Sequence, residues 1–300
     1  MIKDRNVDPN ASIDPTKVLG GLGGVPIAKD AKYIFVDSGN GSDSNDGKTV
    51  KTAKATLAGA LAIATASKGD VIYLLPGHAE TITGAAGSGI TKAGVTVIGV
   101  GNGSLRPTFT FTTATAASFD ITAANVKVVN VIFTCGIDAQ TAMVKVNSAD
   151  VRFIDCLFDT NSGTVGAVVG ILTAATATRF RVEGCRFQGP ATNSGTTTTA
   201  QIDHEVGVDY IIRDNYFTGK MTQAITNGAA ILRGLIADNY FVVATGTKAI
   251  NMHASSTPFI VNNRINVPSG TAPVVAAAGF VAGNVYSAAA GVTAGTASTF

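Results

Sequence analysis

Tyr210-Ile-Ile-Arg-Asp-Asn-Tyr-Phe217 is followed one short interval later by Leu235-Ile-Ala-Asp-Asn-Tyr-Phe241. The phrase is an alternating apolar run, a polar or glycine pivot, and a second short run ending in a bulky residue. It recurs as Val126-Lys-Val-Val-Asn-Val-Ile-Phe133, Val151-Arg-Phe-Ile-Asp-Cys-Leu-Phe158, Phe180-Arg-Val-Glu-Gly-Cys-Arg-Phe187, Phe259-Ile-Val-Asn-Asn-Arg-Ile265 and Phe280-Val-Ala-Gly-Asn-Val-Tyr286. With Asn130, Asp155, Gly184, Asp214, Asp238, Asn262 and Gly283 as pivots, the intervals are 25, 29, 30, 24, 24 and 21 residues. A recurrence of roughly 20–30 residues, each holding short β-branched or aromatic runs, marks a solenoid rather than a globular domain. The expected class is all-β, a parallel β-helix.

One such unit cannot bury its apolar face alone, so it stacks on its neighbours. The residue after each pivot then forms a column: Val131, Cys156, Cys185, Asn215, Asn239, Asn263 and Asn284. Four successive asparagines in register predict an internal amide ladder, because a tight corner strands backbone groups that a buried amide can satisfy. Two residues further on stand Phe133, Phe158, Phe187, Phe217, Phe241, Ile265 and Tyr286, expected to stack and fill the lumen.

Around the coils the chain divides into four parts. Residues 1–30 are polar, with Pro9, Pro15, Pro26 and a Gly20-Gly-Leu-Gly-Gly24 hinge. They read as an extended arm, disordered or docking on a partner through Ile2, Arg5, Val7, Ile13 and Val18. Residues 31–90 read as an opening module: a strand at Lys32–Asp37, a turn-rich loop to Gly47, a helix over Ala53–Ala66 and a strand at Val71–Leu75. The helix, with Leu57, Leu61 and Ile63 as anchors, is expected to cap the open end of the lumen. The coils follow over 91–287, with Gly99 as an early pivot, and 288–300 form a tail or terminal cap.

A formal net charge of +2 and 14% charged residues leave no basic stripe for nucleic acid. No apolar segment approaches the ~18 residues of a membrane span. Lys3, Asp4 and Arg5 are followed by no hydrophobic signal region, so neither membrane insertion nor secretion by a signal peptide is expected. Such a weakly charged surface is poorly protected against self-association. A homotrimer fits the habit of elongated β-helices. Cys135, Cys156 and Cys185 are expected as buried free thiols, and they have no histidine at ligand spacing to make a metal site.

Candidates for chemistry are few. His78 reads as a turn residue, His204 in Asp203-His-Glu205 as a solvated charged corner, and His253 as a surface turn. Asp155 with Glu183, or Asp214 with Asp238, are the carboxylate pairs within stacking reach, but turn capping explains the aspartates. Asp37, Asp43, Asn45 and Asp46 offer oxygens to a hard cation, yet the loop lacks the closing glutamate of an EF-hand and reads as a polar turn. With no Trp, six Tyr and the Phe residues turned inward, sugar-stacking platforms look scarce. No catalytic residue, metal or cofactor is expected.

Tyr33-Ile-Phe-Val-Asp-Ser-Gly-Asn-Gly-Ser-Asp-Ser-Asn-Asp-Gly47, the Ala53–Ala66 helix and Gly69-Asp-Val-Ile-Tyr-Leu-Leu-Pro-Gly77 together resemble the opening of the right-handed parallel β-helix superfamily, which includes pectate lyases and phage tailspikes. The resemblance covers roughly residues 31–287. In the lyases, calcium-binding aspartates and a catalytic Arg or Lys cluster on one exposed sheet. Arg181, Arg186 and Arg213 align here with no group of three acids. The arm Ile2–Val18 is similar to N-termini of β-helix proteins encoded among bacteriophage virion genes. That similarity implies a non-enzymatic virion component, assembled in the host cytoplasm and bound by its arm to the major capsid protein or another virion protein. A capsid decoration or cement protein is the more economical version. A tailspike-like protein that binds or depolymerises a surface glycan is the second, and a secreted polysaccharide lyase the third.

Overall fold

The computed structural model describes residues 30–160, 164–189, 198–205, 208–230, 232–243, 248–266, 274–276 and 278–286. The arm with Ile2, Arg5, Val7, Ile13 and Val18, and the 288–300 tail, lie outside the described residues. The chain winds through three parallel sheets of ten, nine and eight strands, about eight turns in all. Each turn contributes one strand to each sheet. In one turn these are Arg152–Ile154, Leu157–Asp159 and Val169–Thr173, and in the next Arg181–Glu183, Arg186–Gln188 and Thr198–His204. Strands alternate in burial, so Val128, Phe153, Val182, Ile212 and Ile236 of the first sheet point inward and their neighbours outward.

The repeated phrase is the corner between first and second sheets. All seven pivots, Asn130, Asp155, Gly184, Asp214, Asp238, Asn262 and Gly283, sit at φ between 52° and 64°. Only left-handed backbone turns the chain this sharply in one residue, and Gly, Asn and Asp reach it most cheaply. The side chain after each pivot turns into the core. Asn239 Nδ2 donates to Ile212 O (2.9 Å) and Asn263 Oδ1 (2.9 Å), while its own Oδ1 accepts from Asn215 N and Nδ2, both at 3.0 Å. Asn263 repeats the pattern towards Asn284, accepting from Asn239 and donating to Asn284 Oδ1 at 2.8 Å. The ladder continues downward through sulfur. Cys185 N donates to Asn215 Oδ1 (2.8 Å) and Cys156 N to Cys185 Sγ (3.4 Å). All three thiols are free and buried.

Beside the ladder, Phe133, Phe158, Phe187, Phe217 and Phe241 stack with centroids 4.7–5.2 Å apart, the upper four with planes within 7° of parallel. The column starts one turn earlier, at Phe109, 5.8 Å from Phe133. Each is fully buried, and removing one such ring costs about 3–5 kcal/mol.

A second left-handed column lies at the entry to the first-sheet strands: Gly69, Gly94, Asn125, Asp150, Arg179, Asp209 and, inside the irregular start of its strand, Arg233, with φ from 55° to 76°. Arginine there is strained, and charge pairing accompanies it. Arg179 grips Asp150 through Nε (2.6 Å) and Nη2 (2.5 Å), and Arg233 grips Asp209 at 2.7 and 3.1 Å. The arginine hydrogen bonds hold both carboxyls below their ordinary range.

Three expectations shift. The strands Val71–Leu74, Ala79–Ile82 and Ser88–Ile90 already pair into the three sheets, so a complete turn lies inside the stretch read as the opening module. Gly99 follows Ile98, which pairs with Val129, but it is still the last residue of its strand, and the positive φ falls at Gly101. Asn130 Nδ2 spans this wider corner, donating to Gly99 O and Gly101 O at 2.8 Å. The helix, α1, is only Leu57–Ile63. Residues before it are drawn into extended pairing, Lys54 N to Phe35 O and Asp37 N to Lys54 O, both 2.8 Å. Asp43 Oδ1 then takes Ala55 N and Thr56 N. These tertiary bonds outweigh alanine's helix propensity. α1 buries Leu57, Ala60 and Leu61 against strands Tyr33–Val36, Val71–Leu74 and Ser88–Ile90.

Replacing Asn239 by Leu takes the acceptor from Asn215 N in a dry interior, a loss of about 1–3 kcal/mol, and removes one bond each from Asn215 Nδ2, which keeps Val182 O, and from Ile212 O. Urea denaturation should show a loss of about 1–3 kcal/mol. The half-exposed Asn284→Leu should lose less than half as much. Equal, small losses at both positions would remove the ladder from the stability account.

Candidate functional site

The interior and the corners absorb most of the polar residues that chemistry would need. Glu183, nearly buried, lies between Arg152 and Arg213, whose Nε is 2.8 Å from Oε1. Asp155 is a corner whose carbonyl accepts from Arg106 Nη2 at 2.6 Å. The loop carboxylates diverge instead of converging. Asp37 caps Gly39 N and Asn40, Asp43 caps the start of α1, Asp46 takes Lys48 N and Thr52 Oγ1, and Asn45 donates to Ala53 O. Among the described residues no group of three His, Cys, Asp or Glu is placed to hold a metal.

His78 is buried and fastened: Nδ1 accepts from Ser38 N (3.1 Å) and Nε2 meets Glu80 Oε1 at 2.9 Å, the same oxygen that takes Leu57 N. His253 lies exposed in a turn, accepting from Ser255 N at 3.2 Å.

His204 is a correction. Strand alternation does place Asp203 outward, but His204 is 1% exposed inside the lumen, not on a solvated corner. It stacks on Phe180 at 5.7 Å, lies 5.0 Å from Tyr210, and shares a 2.5 Å hydrogen bond with Thr173 Oγ1. The strand Thr198–His204 is longer than its neighbours in sequence order and carries the ring inside. Burial lowers its pKa from 6.5 to about 4.

What sequence reasoning missed lies on the outer face of the second sheet. There Arg186, Tyr216, Tyr240, Arg264 and Val285 stand in successive register. Tyr216 and Tyr240 are stacked at 5.4 Å and 12°, and the Arg186 guanidinium lies 5.4 Å over Tyr216. Each Tyr immediately precedes a column Phe, so period-2 alternation turns the tyrosine out wherever it turns the phenylalanine in. The repeated Asn-Tyr-Phe was the available signal. The next face of Tyr240, which is 43% exposed, opens on a groove of about 570 Å³. Asp238, Asn262, Arg264, Gly283 and Val285 line it. Gly283 keeps it open at the corner, since a Cβ there would lie 2.4 Å from Asn262 Oδ1.

The groove thus offers an aromatic face, an amide, a guanidinium and one carboxylate. That set suits a pyranose ring, with its apolar C–H face and rim of hydroxyls. Glycoside hydrolysis by a carboxylate pair needs a second acid across the cleft. Among the described residues lining this groove, Asp238 is the one acid.

The chain folds as a parallel β-solenoid. No family model matches it, and no curated protein does. Solved structures similar to it include a rhamnogalacturonan lyase, at 15% identity over 85% of this chain and 87% of that one, TM-score 0.45. A GH136 lacto-N-biosidase from Eubacterium ramulus matches at 11% identity over 85% and 68%, TM-score 0.40. At these values the solenoid description rests on the chain's own three sheets.

His204 makes stability pH-dependent with a definite sign. The unfolded chain takes up the imidazole proton near 6.5 and the folded chain only near 4, so the unfolded state binds more protons in between. The His204 contribution to stability should fall by roughly 3 kcal/mol as pH drops from 6.5 to about 4 and then level off, while the depressed carboxyls of Asp150 and Asp209 lose their contribution only at lower pH. Denaturation of His204→Gln across that range should lose most of this slope; an unchanged slope would assign it to other groups.

Proposed function

We propose that the chain is a non-enzymatic shaft of a bacteriophage virion, held by its N-terminal arm and presenting a glycan-binding groove on the second sheet. The observation that carries the binding part is the exposed Tyr240 face beside Arg264, Asp238 and Asn262. Placement on a virion is supported by the similarity of residues 2–18 to the arms of phage β-helix proteins. Under this reading the arm contacts the major capsid protein or another virion protein, α1 closes the lumen at the arm end, and copies associate as a homotrimer. The Asn column, the Phe column and the aspartate corners serve the scaffold. A depolymerising tailspike is the alternative, favoured by Asp238 in the groove.

Glycan-array screening of the full chain, followed by titration of the retained glycan, tests the reading. Tyr240→Ala should weaken binding at least tenfold, as loss of a stacking aromatic worth about 1.4 kcal/mol or more requires, with an unchanged thermal melt. No retained glycan, or unaltered binding by Tyr240→Ala, would remove the groove. New reducing ends that vanish in Asp238→Asn would establish the depolymerase instead. Deleting residues 1–24 should leave the far-ultraviolet spectrum of the solenoid intact and abolish incorporation into particles. Retained incorporation would move the contact to the shaft.

A further inference from the structure

The outer face of the first sheet changes character along the shaft. In one register column stand Lys127, Arg152, Arg181, Ile211, Leu235, Phe259 and Phe280. The parallel outward column runs Glu183, Arg213, Ala237, Val261 and Ala282. Lys127, Arg152, Arg181 and Arg213 therefore form a basic belt of four cations against two carboxylates, Glu183 between Arg152 and Arg213, and Asp214 3.8 Å from Arg213 Nε. Beyond it, the last three strands carry no charge in either column. Phe259 and Phe280 are 54% and 40% exposed, their tilted rings 5.6 Å apart, unusual openness for neighbouring phenylalanines.

We infer that this C-terminal apolar stripe is where copies of the chain meet one another, side by side and pointing the same way. The inference deepens the self-association in the proposed function and is independent of the glycan groove, which lies on a different sheet. Charge decides both occupant and register. The stripe runs parallel to the shaft axis, so rotation about an axis parallel to the shaft lays it against its own copy, Phe259 near Phe259. Reversing a copy, or sliding it by several turns, would press phenylalanine rings onto Arg152 and Arg181 and strip their water without supplying a carboxylate. With copies at equal height, the belts lie level and repel. Like charge then holds the shafts apart there and confines contact to the last turns.

Cross-linking reads this arrangement directly. Cys135, Cys156 and Cys185 are at most 1% exposed, so they stay silent under brief oxidation of the folded protein. The full chain carrying Phe259→Cys should form covalent pairs through the introduced thiols on treatment with copper phenanthroline. Arg152→Cys, in the belt, should not. Sedimentation equilibrium should find the unmodified chain oligomeric and the double variant Phe259→Ser, Phe280→Ser monomeric, with unchanged circular dichroism. A monomeric unmodified chain, no covalent pair at position 259, or cross-linking equal at 152 and 259 would each overturn the inference. Unimpaired glycan binding by the double variant would show that the groove and the stripe act separately.

Discussion

A corner made in one residue forces left-handed backbone and leaves peptide groups in a place that water does not reach. The turns from Asn130 to Gly283 meet that constraint at the junction of their first and second sheets. From the Asp155 corner onward the answer is a pair of adjacent residues: a pivot that tolerates positive φ, and a buried side chain that satisfies stranded groups of neighbouring turns. Asparagine does this best because its amide donates and accepts at once. Cys156 and Cys185 do it more weakly, with sulfur as acceptor for Cys156 N and thiols directed at Ile154 O and Glu183 O. The stacking of phenylalanines depends on the same corner, since it fixes the register that sets ring above ring.

That register also determines where function can sit. Inward positions are consumed by the ladder and the aromatic column. Corner aspartates are consumed by backbone geometry, and the loop carboxylates by the turns that tie the first strand to α1. What remains is the outer surface of the sheets, where stacking multiplies any side chain into a stripe. Two such stripes stand out: Arg–Tyr–Tyr–Arg on the second sheet, and a basic belt passing into phenylalanine on the first. A solenoid therefore carries its chemistry as linear surface patterns, which suits extended ligands and parallel neighbours more than a deep catalytic pocket.

Much of the scaffold was legible in the sequence because it repeats. Asn215, Asn239, Asn263 and Phe187, Phe217, Phe241 fall in columns that spacing alone reveals. The second left-handed column was not legible. Asp150, Arg179, Asp209 and Arg233 alternate acid and base instead of repeating one residue type, and their dihedrals and ion pairs unite them. His204 was misread because a strand of unusual length carries it inward. Local sequence marks Asp203 and Glu205 as polar, but not which face the lumen takes. Tyr216 and Tyr240 were visible but passed over, since a census of aromatics hides what alternation makes plain. The 53–66 helix was overlong because alanine content reports propensity and not the pull of Asp43 and strand pairing.

The account stands on the claim that corner amides hold the turns together as one cooperative body. Native-state hydrogen exchange tests it at the backbone N–H groups of Cys185, Asn215 and Asn239, each bonded to a side-chain oxygen of the next turn. They should exchange only through global unfolding, with the same free energy as the strand amides of the core. Exchange at the rate of exposed loop amides would show that the ladder is open in solution, and that the turns are held by the aromatic column alone.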